Sequence, residues 1–159
     1  MTLIHRPIKE NDIPIICTFP QNQDELFFIS PKASYPLNPQ LFMEAIKHRS
    51  DPTVVELDGN VVGFANFYRW EMGGNYYIGN VIIAPFARGI GIGKYLIEQM
   101  INIAFSKYQA IEVIVSCFNQ NVAGLLFYPK LGFSPYQIEE RKDKQGNQVA
   151  LIHMRLQSK

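Results

Sequence analysis

The spacing of hydrophobic residues changes along the chain and predicts strands in some segments and helices in others. Thr53–Leu57 and Val61–Arg69 are rich in β-branched and aromatic residues, and Asp58–Asn60 between them is typical of a hairpin turn. A third strand is predicted over Tyr76–Ala84. Ile111–Cys117 is almost continuously apolar, as expected of a strand covered on both faces. These runs indicate a sheet with a largely buried centre.

Helical spacing appears between and after these strands. One set of apolar residues recurs at intervals of four, four and three, which is typical of a helix packed on a sheet: Ile92, Leu96, Met100 and Ile103. Asn121–Leu131 is a predicted helix that ends at Gly132. The remaining predicted elements are a strand over Leu3–Arg6, a short helix from Asn11 or Asp12 to Cys17, a helix starting at Asn38-Pro39, and a hairpin of Tyr136–Lys142 with Val149–Leu156.

The segment Phe19–Pro39 is left without a predicted element, because it mixes prolines with aromatic residues. The order of the other elements is β-α-α-β-β-β-α-β-α-β-β. This order predicts an α/β (α+β) fold with a mixed, mostly antiparallel central sheet of about seven strands and helices on both faces.

The segment between the third strand and the next helix is the strongest candidate for a binding site. Arg88–Gly93 has the sequence RGIGIG, an R-x-x-G-x-G pattern. Glycines at a strand-to-helix turn leave backbone N–H groups unobstructed, and the positive end of the helix dipole favours an anion, above all a phosphate. The pattern therefore predicts a pyrophosphate-binding loop, with a structural helix cap as the alternative.

Two common phosphate-binding loops do not fit the spacing. A Walker A loop requires glycine where Arg88 stands and serine or threonine where Tyr95 stands. A dinucleotide fingerprint counted from Gly89 and Gly91 requires a further glycine where Lys94 stands. The loop must therefore belong to another class.

Length, charge and composition limit the classes of function that this protein can have. A chain of 159 residues is expected to form a single domain, residues 1–159. A net charge of +1 gives no reason to expect nucleic acid or an anionic membrane as a partner. No apolar run approaches the roughly 20 residues of a membrane span, and no signal peptide is apparent, so a cytoplasmic location is expected. Two cysteines and three scattered histidines suggest no metal site.

Two motifs together resemble a known superfamily. The glycine loop after the VIIAP strand end resembles the acetyl-CoA loop of the Gcn5-related N-acetyltransferase (GNAT) superfamily, and Asn121–Phe133, NVAGLLFYPKLGF, is similar to its N-x-x-A-x-x-L-Y-x-K-x-G-F signature. Gly124 replaces the usual alanine and Phe127 the usual leucine. The motifs occur in the expected order and at a similar separation, and the resemblance extends from about Leu3 to Leu156.

The resemblance implies an enzyme that moves an acetyl group from acetyl-CoA to a primary amine, by direct attack in a ternary complex. It implies that loop amides and glycines bind the CoA pyrophosphate, that Arg88 adds a charge-assisted contact, and that a bulged or splayed strand pairs with the pantetheine arm. The residues implied to bind acetyl-CoA are Val81, Ile82, Ile83, Arg88, Gly89, Ile90, Gly91, Ile92, Gly93, Lys94 and Asn121. For Asn121 a helix-capping role is the alternative.

The resemblance also implies a proton donor, and it leaves the proton acceptor open. Tyr128 matches the tyrosine that protonates the departing thiolate, and a phenol of pKa about 10 stays protonated at neutral pH. Asn80 and Ser116 stand where many members of the superfamily have a carboxylate base. Our hypothesis is that a water held by Asn80 or Ser116 accepts the proton, or that the amine binds neutral. Glu71 is the nearest acidic alternative.

The sequence gives little information about the amine that accepts the acetyl group. By resemblance the acceptor groove corresponds to Phe19–Pro39 and to about Tyr136–Gln148. The aromatic residues that could line this groove, or instead belong to the core or a dimer contact, are Phe27, Phe28, Tyr35, Tyr68 and Trp70. A small-molecule amine is expected because no acidic tract marks a docking site for a basic peptide. A protein or peptide amine, another acyl donor, a homodimer and a non-catalytic acyl-CoA sensor remain alternatives.

Overall fold

A seven-stranded sheet organises the computed structural model, which describes residues 1–159. The strands are β1 (Leu3–Pro7), β2 (Ser50–Leu57), β3 (Asn60–Trp70), β4 (Asn75–Ile83), β5 (Glu112–Phe118), β6 (Ser134–Lys142) and β7 (Gln148–Gln157). The helices are α1 (Ile13–Ile16), α2 (Gln23–Ile29), α3 (Pro39–Ile46), α4 (Ile92–Asn102) and α5 (Val122–Lys130). The spatial order is β1-β2-β3-β4-β5-β7-β6, and only β4 and β5 are parallel. The predicted mixed, mostly antiparallel sheet is confirmed.

The helices cover both faces of the sheet, as predicted. On one face α1, α2 and α3 pack, with Phe42 of α3 lying 5.6 Å from Phe64 of β3 between ring centroids. On the other face α4 and α5 pack. There Gly63 of β3 faces Ile92 of α4, and a side chain at position 63 would be in contact with that isoleucine. We call these the α2 face and the α4 face below.

Local signals explain most of the element ends. Asp58 and Gly59 both have positive φ, 50° and 88°, as the two-residue turn between β2 and β3 requires. Gly132, with a φ of 101°, ends α5. Helix α2 lies in the segment for which no element was predicted. Its N-terminal signal is Asn22, whose side chain accepts a hydrogen bond from the Glu25 N–H at 2.9 Å.

A gap opens between β4 and β5 halfway along the sheet. The two strands pair only over Asn75–Tyr77 and Glu112–Ile114, and they are not hydrogen-bonded beyond those residues. On its other side β4 carries a bulge, because one extra residue is accommodated between the Phe64–Ile82 and Asn66–Gly79 pairs. The bulge or splay expected from the resemblance is therefore present. It leaves the backbone of the second half of β4 free on the β5 side.

Other features of the chain are structural. Both cysteines are buried and unpaired, and burial raises the pKa of Cys17 and of Cys117 to about 11. No group of three or more His, Cys, Asp and Glu side chains is arranged to hold a metal ion. No helix has the length and apolar character needed to cross a membrane.

Candidate active site

The glycine loop provides a row of unbonded backbone amides. Gly89 and Gly91 have φ values of 79° and 95°, in the left-handed region, and a Cβ at either position would have open space around it. The first helical hydrogen bond of α4 runs from the Tyr95 N–H to the Gly91 carbonyl, at 3.1 Å. The amides from Gly89 to Lys94 donate to no acceptor in the protein, and the first turn of α4 has no acidic residue. The loop therefore fits an anion such as a pyrophosphate.

Arg88 is engaged within the protein. Its guanidinium forms two hydrogen bonds with the Glu25 carboxylate, at 2.9 and 3.1 Å, and its Nε donates to the Ile83 carbonyl at 3.2 Å. The hydrogen bonds from Arg88 lower the pKa of Glu25. Because Glu25 lies on α2, this ion pair joins the α2 face to the loop. The predicted contact between Arg88 and a pyrophosphate stays a prediction.

Tyr128 lies on the α4 face, behind β5. It is buried against Phe133 and Phe127, with ring centroids 5.9 and 5.2 Å away. Burial, with a smaller contribution from Cys117, raises the pKa of the Tyr128 hydroxyl. The phenol is therefore fully protonated at neutral pH, as a proton donor must be.

Asn121 caps α5. Its side-chain oxygen accepts the Gly124 N–H at 3.1 Å, which is the capping alternative considered for it, while its amide nitrogen remains available for another contact. The departure from the superfamily signature at Gly124 has a steric reason. A Cβ at Gly124 would lie 2.7 Å from the sulfur of Cys117, so the chain cannot carry the usual alanine there without movement.

Asn80 occupies the bulge, and its side-chain oxygen and nitrogen are both hydrogen-bonded within the protein. It has a φ of 50°, which asparagine tolerates better than most residues. Its oxygen accepts from Arg49 at 2.6 Å and from Asn66 at 3.1 Å, and its nitrogen donates to the Ile29 carbonyl at 2.9 Å. Both lone pairs of the Asn80 oxygen are therefore occupied, and this oxygen cannot hold a water that would accept the proton of the amine. We therefore leave Asn80 out of the proton path proposed below and assign it to holding Arg49.

Ser116 forms part of a polar chain on the α2 face of the gap. Ser116 of β5 is the register partner of His153 of β7, and its Oγ lies 2.7 Å from the His153 Nδ1. The other ring nitrogen, Nε2, lies 3.0 Å from an oxygen of Glu139 on β6. Hydrogen bonds from Arg141 and from His153 lower the pKa of Glu139, which keeps this carboxylate ionised. His153 and Glu139 are not among the site residues predicted from the sequence.

Tyr68 lies beside this chain of residues. Burial raises the pKa of its phenol, and interaction with the Ser116 side chain opposes that effect. The ring needs the space above β4 that a glycine leaves, because a Cβ at Gly79 would be 2.6 Å from it. Tyr136 also faces His153, with ring centroids 6.2 Å apart. Tyr68 is thus the one predicted groove residue that adjoins the gap.

The other predicted groove residues do not adjoin the gap, although Phe27 and Phe28 line a nearby cavity. Phe27 is a core residue whose ring packs 4.4 Å from that of Phe118, and Tyr35 is exposed. Trp70 and Glu71 lie away from the gap, next to the part of the sheet where β4 and β5 are paired, and Glu71 is exposed. Its position does not favour it as a base.

A cavity of about 320 Å³ lies where the acceptor groove is expected, between α2 and the β6–β7 turn. Polar residues outnumber aromatic ones in its lining, which consists of Gln23, Asp24, Phe27, Phe28, Gln120, Asp143, Lys144 and Gln145. Phe27 separates it from the core around Phe118. The cavity is on the same face of the sheet as Ser116.

A row of unbonded loop amides next to a sheet that separates at the same place is the arrangement expected of an acyl-CoA-dependent transferase. The sequence model of the Acetyltransferase (GNAT) family matches residues 18–133, and the chain belongs to that family. The predicted family, the acetyl-CoA-dependent N-acetyltransferase activity and acetyl-CoA as co-substrate are thereby confirmed.

Solved structures with the same fold have low sequence identity. A ribosomal-protein-alanine N-acetyltransferase from Brucella melitensis is 20% identical, with a TM-score of 0.77 over 98% of this chain and 99% of that chain. A GNAT acetyltransferase from Bacillus anthracis is 15% identical, with a TM-score of 0.80 over 99% and 95%. The yncA protein from Salmonella typhimurium, solved with its cofactor acetyl-CoA, is 20% identical, with a TM-score of 0.75 over 99% and 94%.

Proposed function

We propose that this protein transfers the acetyl group of acetyl-CoA to the primary amine of a small molecule, by direct attack in a ternary complex. One observation carries the proposal. β5 borders the gap: Tyr128, a phenol that is protonated at neutral pH, packs behind this strand on the α4 face, and Ser116, which is within hydrogen-bond distance of His153, lies on its α2 face. Acyl transfer to an amine needs a proton donor and a proton acceptor, on opposite sides of the reacting carbonyl.

The chain's own backbone would hold acetyl-CoA. The unbonded amides from Gly89 to Lys94 would bind the pyrophosphate. The free edge of Val81–Ile83 would pair with the pantetheine arm, and a backbone N–H there would stabilise negative charge on the thioester oxygen. The amide nitrogen of Asn121, which its capping role leaves unused, would add a side-chain contact.

Ser116 and His153 would remove the first proton from the amine, which reaches the site as an ammonium. The Ser116 hydroxyl would accept that proton while it passes its own to His153 Nδ1, so that the amine gains a free electron pair. Glu139 would accept a hydrogen bond from Nε2 and stabilise the imidazolium. This three-residue arrangement supplies the basic group that is missing at position 80 and at position 116 itself.

Tyr128 would protonate the leaving group. The nitrogen–carbon bond forms as the carbon–sulfur bond breaks, and the thiolate takes the proton of the Tyr128 hydroxyl. The second amine proton returns to that phenolate through water, and the proton on His153 leaves to solvent. The overall reaction then gives one N-acetyl product, one CoA thiol and one released proton.

The test measures two products of one reaction. The purified protein is incubated with acetyl-CoA and a panel of small primary amines, and free thiol and N-acetylated amine are both quantified. The proposal predicts equal amounts of the two products for at least one amine. Acetyl-CoA binding without thiol release from any amine would support the sensor alternative. Thiol release balanced by free acetate would show hydrolysis and contradict the proposal.

A further inference from the structure

Arg49 differs from the other arginines of the chain. Four arginines pair with a carboxylate, namely Arg6, Arg88, Arg141 and Arg155. Arg69 has no carboxylate partner, but it is exposed to water. Arg49 is half-buried, has no carboxylate partner and makes one side-chain hydrogen bond, to Asn80. A partly buried guanidinium without a counter-ion is costly, and such a group is well suited to binding an anion that arrives with a ligand.

The protein fixes Arg49 in place without neutralising it. The Asn80 oxygen, which holds Nη1 at 2.6 Å, carries no net charge. The guanidinium carbon lies 5.7 Å from the centroid of the Tyr68 ring, which adds a cation–π contact. Burial lowers the pKa of Arg49, because no nearby carboxylate offsets the loss of water. The remaining N–H groups of the Arg49 guanidinium have no acceptor within the protein.

Arg49 lies close to the part of the gap where the proposed reaction would take place. Its Nη1 approaches the backbone of β4 at Gly79, where a Cβ would be 3.3 Å away. Gly79 is where β4 is already separated from β5. Tyr68 contacts Arg49 through its ring, and Ser116 is near enough to the Tyr68 hydroxyl to lower the pKa of that phenol. An amine that reaches Ser116 could therefore place an anionic group against Arg49 across the Tyr68 ring.

We propose that Arg49 binds a carboxylate of the acceptor, so that the acceptor is an amino acid or a similar amine that carries a carboxylate. A planar carboxylate matches the two-pronged donor geometry of a guanidinium. The inference rests on the proposed function, and it narrows the acceptor from any small amine to an anionic one.

The experiment compares acids with their own carboxamides. The acceptors are a set of α-amino acids and short ω-amino acids, each assayed beside the amide that lacks only the negative charge. For the preferred acceptor we expect kcat/KM of the acid to exceed that of its amide by about tenfold to a hundredfold, which is the usual contribution of a charged hydrogen bond. If the best acid and its amide react equally well, the inference is wrong.

Variants assign that preference to Arg49. Arg49→Gln is expected to remove the preference by lowering kcat/KM for the acid and leaving the amide nearly unchanged, and Arg49→Lys is expected to retain part of it. Arg69→Gln is the matched control, because Arg69 also contacts a tyrosine ring, that of Tyr77 at 4.8 Å, but is exposed. Equal losses for acid and amide in Arg49→Gln would mean that Arg49 only supports the bulge, which overturns the inference.

A binding measurement separates this inference from the proposed function. The same acids and amides are titrated by calorimetry into the protein saturated with CoA, where no transfer occurs. Acid-selective binding that Arg49→Gln abolishes supports the inference even if no amine is ever acetylated. Efficient acetylation of amines without a carboxylate, together with no acid-selective binding, supports the proposed function and rejects the inference.

Discussion

The two sides of the β4–β5 gap are built from different parts of the polypeptide. On the α4 face, the proposed anion site is the backbone of one continuous segment, Gly89–Lys94. On the α2 face, the polar side chains come from separate elements that meet only in the folded sheet: Arg49, Tyr68, Ser116, Glu139 and His153. The first site depends on backbone conformation and the second on side-chain identity. The two should therefore respond to different substitutions.

The largest expected effect is that of removing Tyr128, the proposed proton donor. Tyr128→Phe should lower kcat by about 10² to 10⁴, the usual contribution of general acid catalysis, and should leave the acetyl-CoA Kd unchanged. The measurement is thiol release across a range of pH. Tyr95→Phe is the control, because Tyr95 lies on α4 and its hydroxyl lies 3.2 Å from the His5 ring. Full kcat in Tyr128→Phe at every pH would remove this residue from the mechanism.

Removal of the proton acceptor should give the next largest effect, with a characteristic pH dependence. His153→Gln should lower kcat/KM by about tenfold to a hundredfold at neutral pH. The loss should shrink as the pH approaches the pKa of the amine, because the amine then loses its proton without help. His48→Gln, at an exposed histidine, is the control. A loss of the same size at all pH values would indicate a purely structural role for His153.

The glycine loop should be sensitive to one methyl group. Gly91→Ala must adopt a left-handed conformation, which costs about 1–2 kcal/mol, and should weaken acetyl-CoA binding by about tenfold. Gly146→Ala is a matched control, since Gly146 also has a positive φ, 84°, and open space around its Cβ, but lies in the β6–β7 turn. The two substitutions should lower the melting temperature by similar amounts. If both bind acetyl-CoA like the unchanged protein, the loop is only a structural turn.

The smallest expected effect concerns the ion pair that joins the two sides. Glu25→Gln breaks the contact with Arg88 and should lower stability by about 0.2–1 kcal/mol, as for other exposed pairs. Because the pKa of Glu25 is lowered in the folded state, the pair stabilises the protein at neutral pH and this stability is lost as the pH falls through that pKa. The difference in melting temperature from the unchanged protein should therefore vanish in acid. A difference that persists in acid would mean that the ion pair is not its source.

The contrast between the two sides also explains what the sequence could predict. The R-x-x-G-x-G pattern is local, and Gly89 and Gly91 within it supply the positive φ values that the turn into α4 requires. It could therefore be interpreted without the fold. The order of strands and helices along the chain followed from hydrophobic period and turn residues for the same reason.

The α2 face could not be predicted in this way. Ser116 and His153 are far apart in the sequence and meet only because β5 pairs with β7, and Glu139 joins them through the β6–β7 pairing. No local pattern marks such a triad. Helix α2 was missed for a different reason, since Asn22 and Glu25 have the spacing of a capping signal, which the surrounding prolines and aromatic residues obscured.

The separation of the two sides is tested most directly by titrating acetyl-CoA into the Arg49→Gln/His153→Gln double variant and into the unchanged protein. Our account predicts micromolar binding in both, with Kd values within about a factor of two. The reason is that the backbone groups of the loop and of β4 that would bind acetyl-CoA form no hydrogen bond with the side chain of Arg49 or of His153. Binding at least about tenfold weaker in the double variant, or no binding of acetyl-CoA to the unchanged protein, would contradict it.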